Sequence, residues 1–153
     1  KDDTSPVKVE VDAPQQHPDA VGVWRSITYT YADGCQIVLW GGDYGDPNTP
    51  YIAGPKGNVY KNFVCDIPDW EKKLADYTEP EPQISTLIES VKSRQPFALN
   101  EQNGFRSATI VNMGAAALRL NRTLNFDPVK LEFVDDEAAN RLLDQPSRAP
   151  WNI

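Results

Sequence analysis

Alternation of apolar and polar residues in the first part of the chain predicts β-strands. Over residues 7–11, valine alternates with charged residues, which is the period-two pattern of a strand with one solvated face. Two further β-rich stretches, residues 21–31 and 35–40, are separated by Asp33-Gly34. Because glycine tolerates the positive φ of a tight turn, Asp-Gly between two such runs predicts a hairpin.

The first strand of this hairpin carries large side chains or hydroxyls on both faces. One face is formed by Val23, Ile27, Tyr29 and Tyr31, and the opposite face by Trp24, Ser26, Thr28 and Thr30. We expect the domain itself to cover one of these faces and to leave the other for contact with a second protein surface. The candidate interface residues are therefore Trp24, Thr28 and Thr30.

The middle of the chain is punctuated by glycine and proline. Residues 41–50 predict a loop, and Pro55-Lys56-Gly57 predicts a turn that leads into a strand over about residues 58–64. Residues 66–82 are acidic and rich in proline, and they predict a long surface connection.

Three segments in the second half of the chain predict helices. The first carries an apolar stripe and is stopped by Pro96; the stripe consists of Ile84, Leu87, Ile88 and Val91. The second, about residues 104–121, contains the small residues Gly114–Ala117, which allow a helix to lie close against a sheet. The third follows the acidic residues 135–137, whose charge suits the positive end of a helix.

Strands first and helices afterwards favour an α+β fold. We expect a mainly antiparallel, open β-sheet with about three helices packed on one face. A length of 153 residues fits a single domain, here residues 1–153. The opening KDDTSPVKVEV lacks a methionine and looks like the middle of a longer polypeptide.

Charge and cysteine content exclude several classes of function. A net charge of −7 disfavours binding to nucleic acid, and no apolar run is long enough for a membrane-spanning helix. We therefore expect a soluble protein, either cytoplasmic or exported. Cys35 and Cys65 lie in strand-like stretches and are expected to be buried free thiols. The only histidine, His17, lies in a proline-rich loop, so no metal site is predicted.

The order of several motifs resembles the C-terminal α/β domain of the Gfo/Idh/MocA oxidoreductases, a family named for glucose–fructose oxidoreductase and inositol dehydrogenase. The YADG turn, Gly41-Gly42, GPKGNVYKNF and SVKSRQP occur in the order typical of that family. The match continues to the end of the chain with Arg106-Ser107-Ala108, Asn125-Phe126-Asp127-Pro128, a Glu-Ala-Ala-Asn helix and Arg148-Ala149-Pro150-Trp151.

The resemblance implies that cofactor binding and substrate binding belong to two different domains. In the family, an N-terminal Rossmann domain binds NAD or NADP and supplies the catalytic lysine. The C-terminal domain helps to enclose a sugar-like substrate and commonly forms the subunit interface through its open sheet. No GxGxxG motif joins a strand to a helix in this chain. We therefore expect the chain alone to bind no cofactor and to be inactive, with a Rossmann domain and a second copy of the chain as partners.

Four residues are candidates for contact with the sugar-like ligand. Arg106 is placed at the start of a predicted helix and carries a planar fork of donors, with a structural salt bridge as the alternative. The family often has histidine at the position of Phe105, and phenylalanine cannot transfer a proton. Trp40 and Tyr44 are candidates for stacking on a sugar ring, or alternatively for core and interface packing. No catalytic residue is assigned.

Two alternative functions stay open from the sequence. The chain is alternatively a non-catalytic carbohydrate-binding or assembly module derived from such an enzyme. A glycoside-processing enzyme is the third possibility, with Asp43 or Asp46 as the carboxylate, and it requires two facing carboxyl groups about 5–10 Å apart.

Overall fold

A computed structural model describes residues 4–17, 22–42, 46, 48–78 and 83–143. The chain divides into two compact units, each described by itself. The sheet unit consists of Lys1–Tyr44 and Ala98–Ile153, and the central unit of Gly45–Phe97.

The described residues contain seven strands and four α-helices. The strands are β1 (Lys8–Asp12), β2 (Ser26–Thr30), β3 (Gln36–Trp40), β4 (Ile52–Gly54), β5 (Gly57–Val59), β6 (Leu124–Asp127) and β7 (Glu132–Phe133). The helices are α1 (Trp70–Ala75), α2 (Leu87–Ser93), α3 (Glu101–Leu120) and α4 (Glu137–Asn140).

An open, five-stranded sheet forms the framework of the sheet unit, in the order β3-β2-β1-β6-β7. All of its strand pairs are antiparallel. The predicted hairpin is confirmed, because β2 pairs with β3 around a turn in which Gly34 has a φ of 82°. The Gly34 N–H donates to the Tyr31 carbonyl at 2.9 Å and closes that turn. The α+β class and the open antiparallel sheet are thus confirmed.

The core lies between this sheet and α3. Val9, Tyr29, Met113 and Ala117 are almost completely buried, and they belong to one cluster with residues of β6 and β7. The small residues of α3 have the predicted role: a Cβ at Gly114 would lie 3.3 Å from Cζ of Tyr29 and closer still to its hydroxyl oxygen. Burial also raises the pKa of the Tyr29 hydroxyl to about 12.

Polar side chains fasten α4 to the far edge of the sheet. The Asp136 carboxylate caps α4 by accepting from the Ala139 N–H at 3.0 Å, and it forms a two-pronged ion pair with Arg122. The Asn140 side chain donates to the Phe133 carbonyl at 2.8 Å and accepts from the Phe133 N–H at 2.7 Å. The Glu-Ala-Ala-Asn motif therefore supplies an amide that pairs with β7 as a neighbouring strand would.

The central unit contains the β4–β5 hairpin, α1 and α2, and none of its described residues is buried. The strand predicted over residues 58–64 ends at Val59, because Asn62 and Phe63 have φ values of 61° and 59° that a strand cannot accommodate. The connection predicted over residues 66–82 contains the six-residue helix α1, which the sequence reasoning missed.

The helix predicted from Ile84 begins at Leu87, because the Thr86 hydroxyl accepts from the Glu89 N–H at 3.3 Å and caps it there. Its apolar stripe at Leu87, Ile88 and Val91 is exposed.

The prediction of buried thiols is wrong. Cys35 is exposed and Cys65 is half-buried, and both are free. Cys35 directly follows the hairpin turn and precedes β3, in which every residue is exposed. Its position at an outer strand explains why the strand-like pattern did not imply burial.

Candidate functional site

A cavity of about 660 Å³ lies in the sheet unit beside the first two turns of α3. Its polar lining consists of Thr4, Ser5, Glu101, Gln102 and Arg106. Its apolar lining consists of Phe105, Pro128, Val129 and Leu131. A smaller cavity of about 200 Å³ shares Phe105 and Leu131 with it and extends to the core residue Met113.

The start of α3 positions the polar side of this cavity. The helix begins at Glu101, because the Asn100 side chain accepts from the Asn103 N–H at 3.0 Å. The Asn103 side chain in turn donates to the Ala98 carbonyl at 2.8 Å and fixes the approach to the helix. The predicted start at about residue 104 was therefore three residues late, and Arg106 lies in the second turn of α3 instead of in its first turn.

The turn between β6 and β7 forms the apolar wall. The Asp127 carboxylate accepts from the N–H groups of Val129 at 2.9 Å and Lys130 at 3.0 Å. These two hydrogen bonds hold the pKa of Asp127 below its ordinary value, the one from Lys130 most strongly. Leu131 has a φ of 61°, and its N–H donates to the Asp127 carbonyl at 2.8 Å. The Asn-Phe-Asp-Pro motif thus builds a rigid wall of the cavity.

Arg106 is half-buried and has no hydrogen-bond or ion-pair partner among the residues that the structure describes. Three other arginines bind carboxylates: Arg25 binds Asp12, Arg122 binds Asp136, and Arg141 binds Glu137. The structural salt bridge weighed as the alternative for Arg106 therefore does not form within the described part of the chain. A guanidinium that stays charged and unpaired at a cavity wall is available to a ligand.

Phe105 is 52% exposed and lies beside Arg106 on α3. It presents an apolar ring to both cavities and offers no group that could take up a proton. The structure brings Phe105 and Arg106 together, as their adjacency in sequence requires.

The other two candidates for ligand contact do not join this pair. Trp40 is 50% exposed at the end of β3 and is not part of the cavity lining. Tyr44 lies outside the described residues, as does Asp43. The Asp46 carboxylate accepts from the backbone N–H of Asn48 at 2.8 Å and from its side chain at 3.1 Å, which stabilises a local turn.

The candidate interface residues lie on or beside β2. Thr28 and Thr30 are half-buried and face away from the buried side chains of Ile27 and Tyr29. Trp24 precedes the strand and packs against the core cluster. Its indole N–H is buried, with no acceptor in the part of the chain that the structure describes.

Sequence reasoning missed most of the cavity lining. Thr4, Glu101 and Leu131 lie far apart in sequence, and only the folded sheet unit brings them together. The one local signal was Asn100 followed by Glu101, a combination typical of a helix start, with a capping side chain and then a negative charge in the first turn.

The described residues do not fit a dinucleotide site. A Rossmann-type site requires a strand, a glycine-rich turn and a helix within a parallel sheet, whereas every strand pair described here is antiparallel. The same residues contain no group of three or more histidine, cysteine or acidic side chains placed to hold a metal ion. No described helix is long and apolar enough to cross a membrane.

Comparison with known families assigns the chain. A family model described as "Oxidoreductase family, C-terminal alpha/beta domain" matches residues 1–153. The chain therefore belongs to the Gfo/Idh/MocA oxidoreductase family and corresponds to its C-terminal α/β domain. No curated protein and no solved structure matches it significantly.

Proposed function

We infer that this chain is the substrate-side domain of an NAD(P)-dependent oxidoreductase, and that the cavity beside α3 receives a sugar-like polyol. Membership of the oxidoreductase family supports the reaction class. The observation that carries the assignment of the site is Arg106, a half-buried arginine with no partner among the described residues and part of the cavity lining.

The lining of the cavity suits a polyhydroxylated ligand. Its volume of about 660 Å³ falls within the range of roughly 300–1,000 Å³ typical of small-molecule sites. Arg106 supplies donors, Glu101 supplies acceptors, and the Gln102 amide supplies both. The exposed ring of Phe105 offers an apolar surface to the C–H face of a sugar ring.

The hydride-transfer chemistry belongs to a second domain in this proposal. The described strands are antiparallel and do not fit a Rossmann-type nucleotide site, and no residue that lines the cavity is assigned a catalytic role. A Rossmann domain of the same enzyme would bind NAD or NADP and place the nicotinamide at the substrate. Both units of the present chain would then act as one domain over residues 1–153.

A homo-oligomer formed through the open sheet is part of the same proposal. Thr28 and Thr30 lie on the face of β2 that is turned away from the core. All residues of the neighbouring strand β3 are exposed, including Val38 and Trp40. These side chains form a surface that a second copy of the chain would cover.

One observation favours a second candidate, a non-catalytic carbohydrate-binding or assembly module descended from such an enzyme. Phe105 stands where the family often has histidine, and its ring lies in the cavity. In this candidate the site binds a ligand through Arg106 and lacks a proton-transferring group at position 105.

The two candidates are separated by assays on the full-length protein. Titration calorimetry with a panel of sugars, polyols and sugar acids measures binding, and the absorbance of NADH and NADPH measures turnover of the same panel. Binding with turnover supports the oxidoreductase, and binding without turnover supports the module.

Arg106→Ala tests the location of the site. Arg119→Ala is the matched control, because Arg119 is an exposed arginine of the same helix outside the cavity lining. Weakened binding in Arg106→Ala alone supports the assignment. Equal binding by both variants would show that the ligand binds elsewhere.

A further inference from the structure

Among the described residues that line the large cavity, Arg106 is the only basic one. The same lining contains one acidic residue, Glu101, yet no ion pair joins the two, and Arg106 has no other partner in the described ranges. Since arginine does not lose its proton in proteins, the charge stays at the cavity wall with no ion-pair partner among the residues described. A partly desolvated, uncompensated charge is unfavourable, and a ligand of opposite charge removes that cost.

We propose that the ligand of this cavity is a sugar acid, a polyhydroxylated molecule whose carboxylate binds the Arg106 guanidinium. The inference rests on the function proposed above and narrows its substrate class. A planar guanidinium pairs with a carboxylate through two parallel N–H···O bonds, which fix the orientation of the ligand as well as its position. The hydroxyl groups then face Gln102 and Thr4, and the ring carbons face Phe105 and Val129.

A monoanion fits the site better than a phosphate ester. A phosphate group carries about −1.5 to −2 charges at neutral pH. Glu101 lines the same cavity, and its negative charge opposes a second negative charge on the ligand. The Arg106 guanidinium offsets the single negative charge of a carboxylate, whereas a phosphate dianion brings a second negative charge that Glu101 repels.

The experiment is titration calorimetry on the full-length protein with ligands matched in ring shape. D-glucuronate carries the carboxylate, D-glucose is neutral, and D-glucose 6-phosphate carries the dianion. The corresponding galactose series controls for the stereochemistry of the ring. We expect the better-fitting acid to bind about tenfold to a hundredfold more tightly than its neutral counterpart, because a hydrogen bond to a charged group contributes that much.

Variants assign the preference to the guanidinium. In Arg106→Ala the acid should bind no more tightly than the neutral sugar, whereas Arg119→Ala should keep the full preference. Arg106→Lys retains the charge and loses the two parallel N–H donors of the guanidinium, so we expect an intermediate preference for the acid over the neutral sugar. Thermal unfolding of each variant confirms that the protein remains folded.

Each other outcome overturns the inference. If the neutral sugar binds as tightly as the acid, and Arg106→Ala weakens both equally, the proposed polyol-binding site is supported and the inferred preference for a carboxylate is wrong. If the phosphate ester binds most tightly, the argument from Glu101 is wrong. If none of the sugars or acids binds, the polyol site itself fails together with the inference.

Discussion

Replacing Gly114 with a larger residue tests the packing of α3 on the sheet. A Cβ at this position would lie 3.3 Å from Cζ of Tyr29, 3.7 Å from Cδ1 of Ile27, and closer still to the Tyr29 hydroxyl oxygen. Tyr29 is 1% exposed and Ile27 is 4% exposed, so neither side chain has room to move into solvent. Even alanine therefore forces a displacement in the core, and leucine forces a larger one.

The magnitude follows from two opposing effects. Exchange of glycine for alanine within a helix stabilises by about 1 kcal/mol through backbone entropy. Overpacking of a filled core destabilises by about 1–3 kcal/mol. We expect Gly114→Ala to be neutral or destabilising by up to about 2 kcal/mol, and Gly114→Leu to destabilise by about 3 kcal/mol or more or to prevent folding.

Gly104→Ala is the matched control, because it lies on the same helix and a Cβ there meets nothing within 4 Å. That variant should be stabilised by about 1 kcal/mol, because only the higher helix propensity of alanine acts at this position. Thermal and urea unfolding measure all three variants, and about 1 kcal/mol corresponds to about 2–4 °C in Tm for a protein of this size. Equal stabilisation by Gly104→Ala and Gly114→Ala would refute the close approach of α3 to Tyr29.

Three further predictions concern charge, cofactor and assembly. Arg122 and the Ala139 N–H hold the pKa of Asp136 in the folded protein below its ordinary value. The ionised Asp136 therefore stabilises the fold above the pKa of the unfolded state, about 3.8, and this stabilisation is lost as the pH falls through the lower pKa of the folded state. Melting temperatures between pH 7 and pH 2 should therefore fall more for the wild type than for Asp136→Asn, and parallel curves would contradict this. The chain on its own should bind neither NADH nor NADPH in titration calorimetry, and micromolar affinity for either would disprove it. Light scattering of the chain should show self-association, and the double substitution Thr28→Glu with Thr30→Lys should abolish it without unfolding the protein. A monomer at high micromolar concentration would refute self-association. A dimer that survives the double substitution would show that the chain associates through another surface.

Local signals were sufficient to predict much of the sheet unit. The Asp33-Gly34 turn and the alternation on either side of it predicted the β2–β3 hairpin, and the small residues of α3 predicted its close approach to the sheet. Both features depend on short stretches of sequence whose conformational preferences agree with the tertiary structure.

The cavity and the central unit were harder to predict for separate physical reasons. The cavity joins residues near 5, 105 and 130, and no local pattern records which distant segments meet. In the central unit, α1 has only six residues and follows Asp69, whose φ is 55°, so neither its length nor its start gave a clear helical signal. The exposed Cys35 shows that a β-like pattern beside an outer strand does not imply burial.

The Asn140 amide makes the two edges of the sheet differ in their ability to hydrogen-bond a further strand. At β7, the N–H and carbonyl of Phe133 are already bound by the Asn140 side chain, so a further strand cannot pair with Phe133. At the opposite edge, β3 has no neighbour beyond β2 among the described strands. One asparagine thereby leaves β3 as the edge of the described sheet at which a further strand can be added.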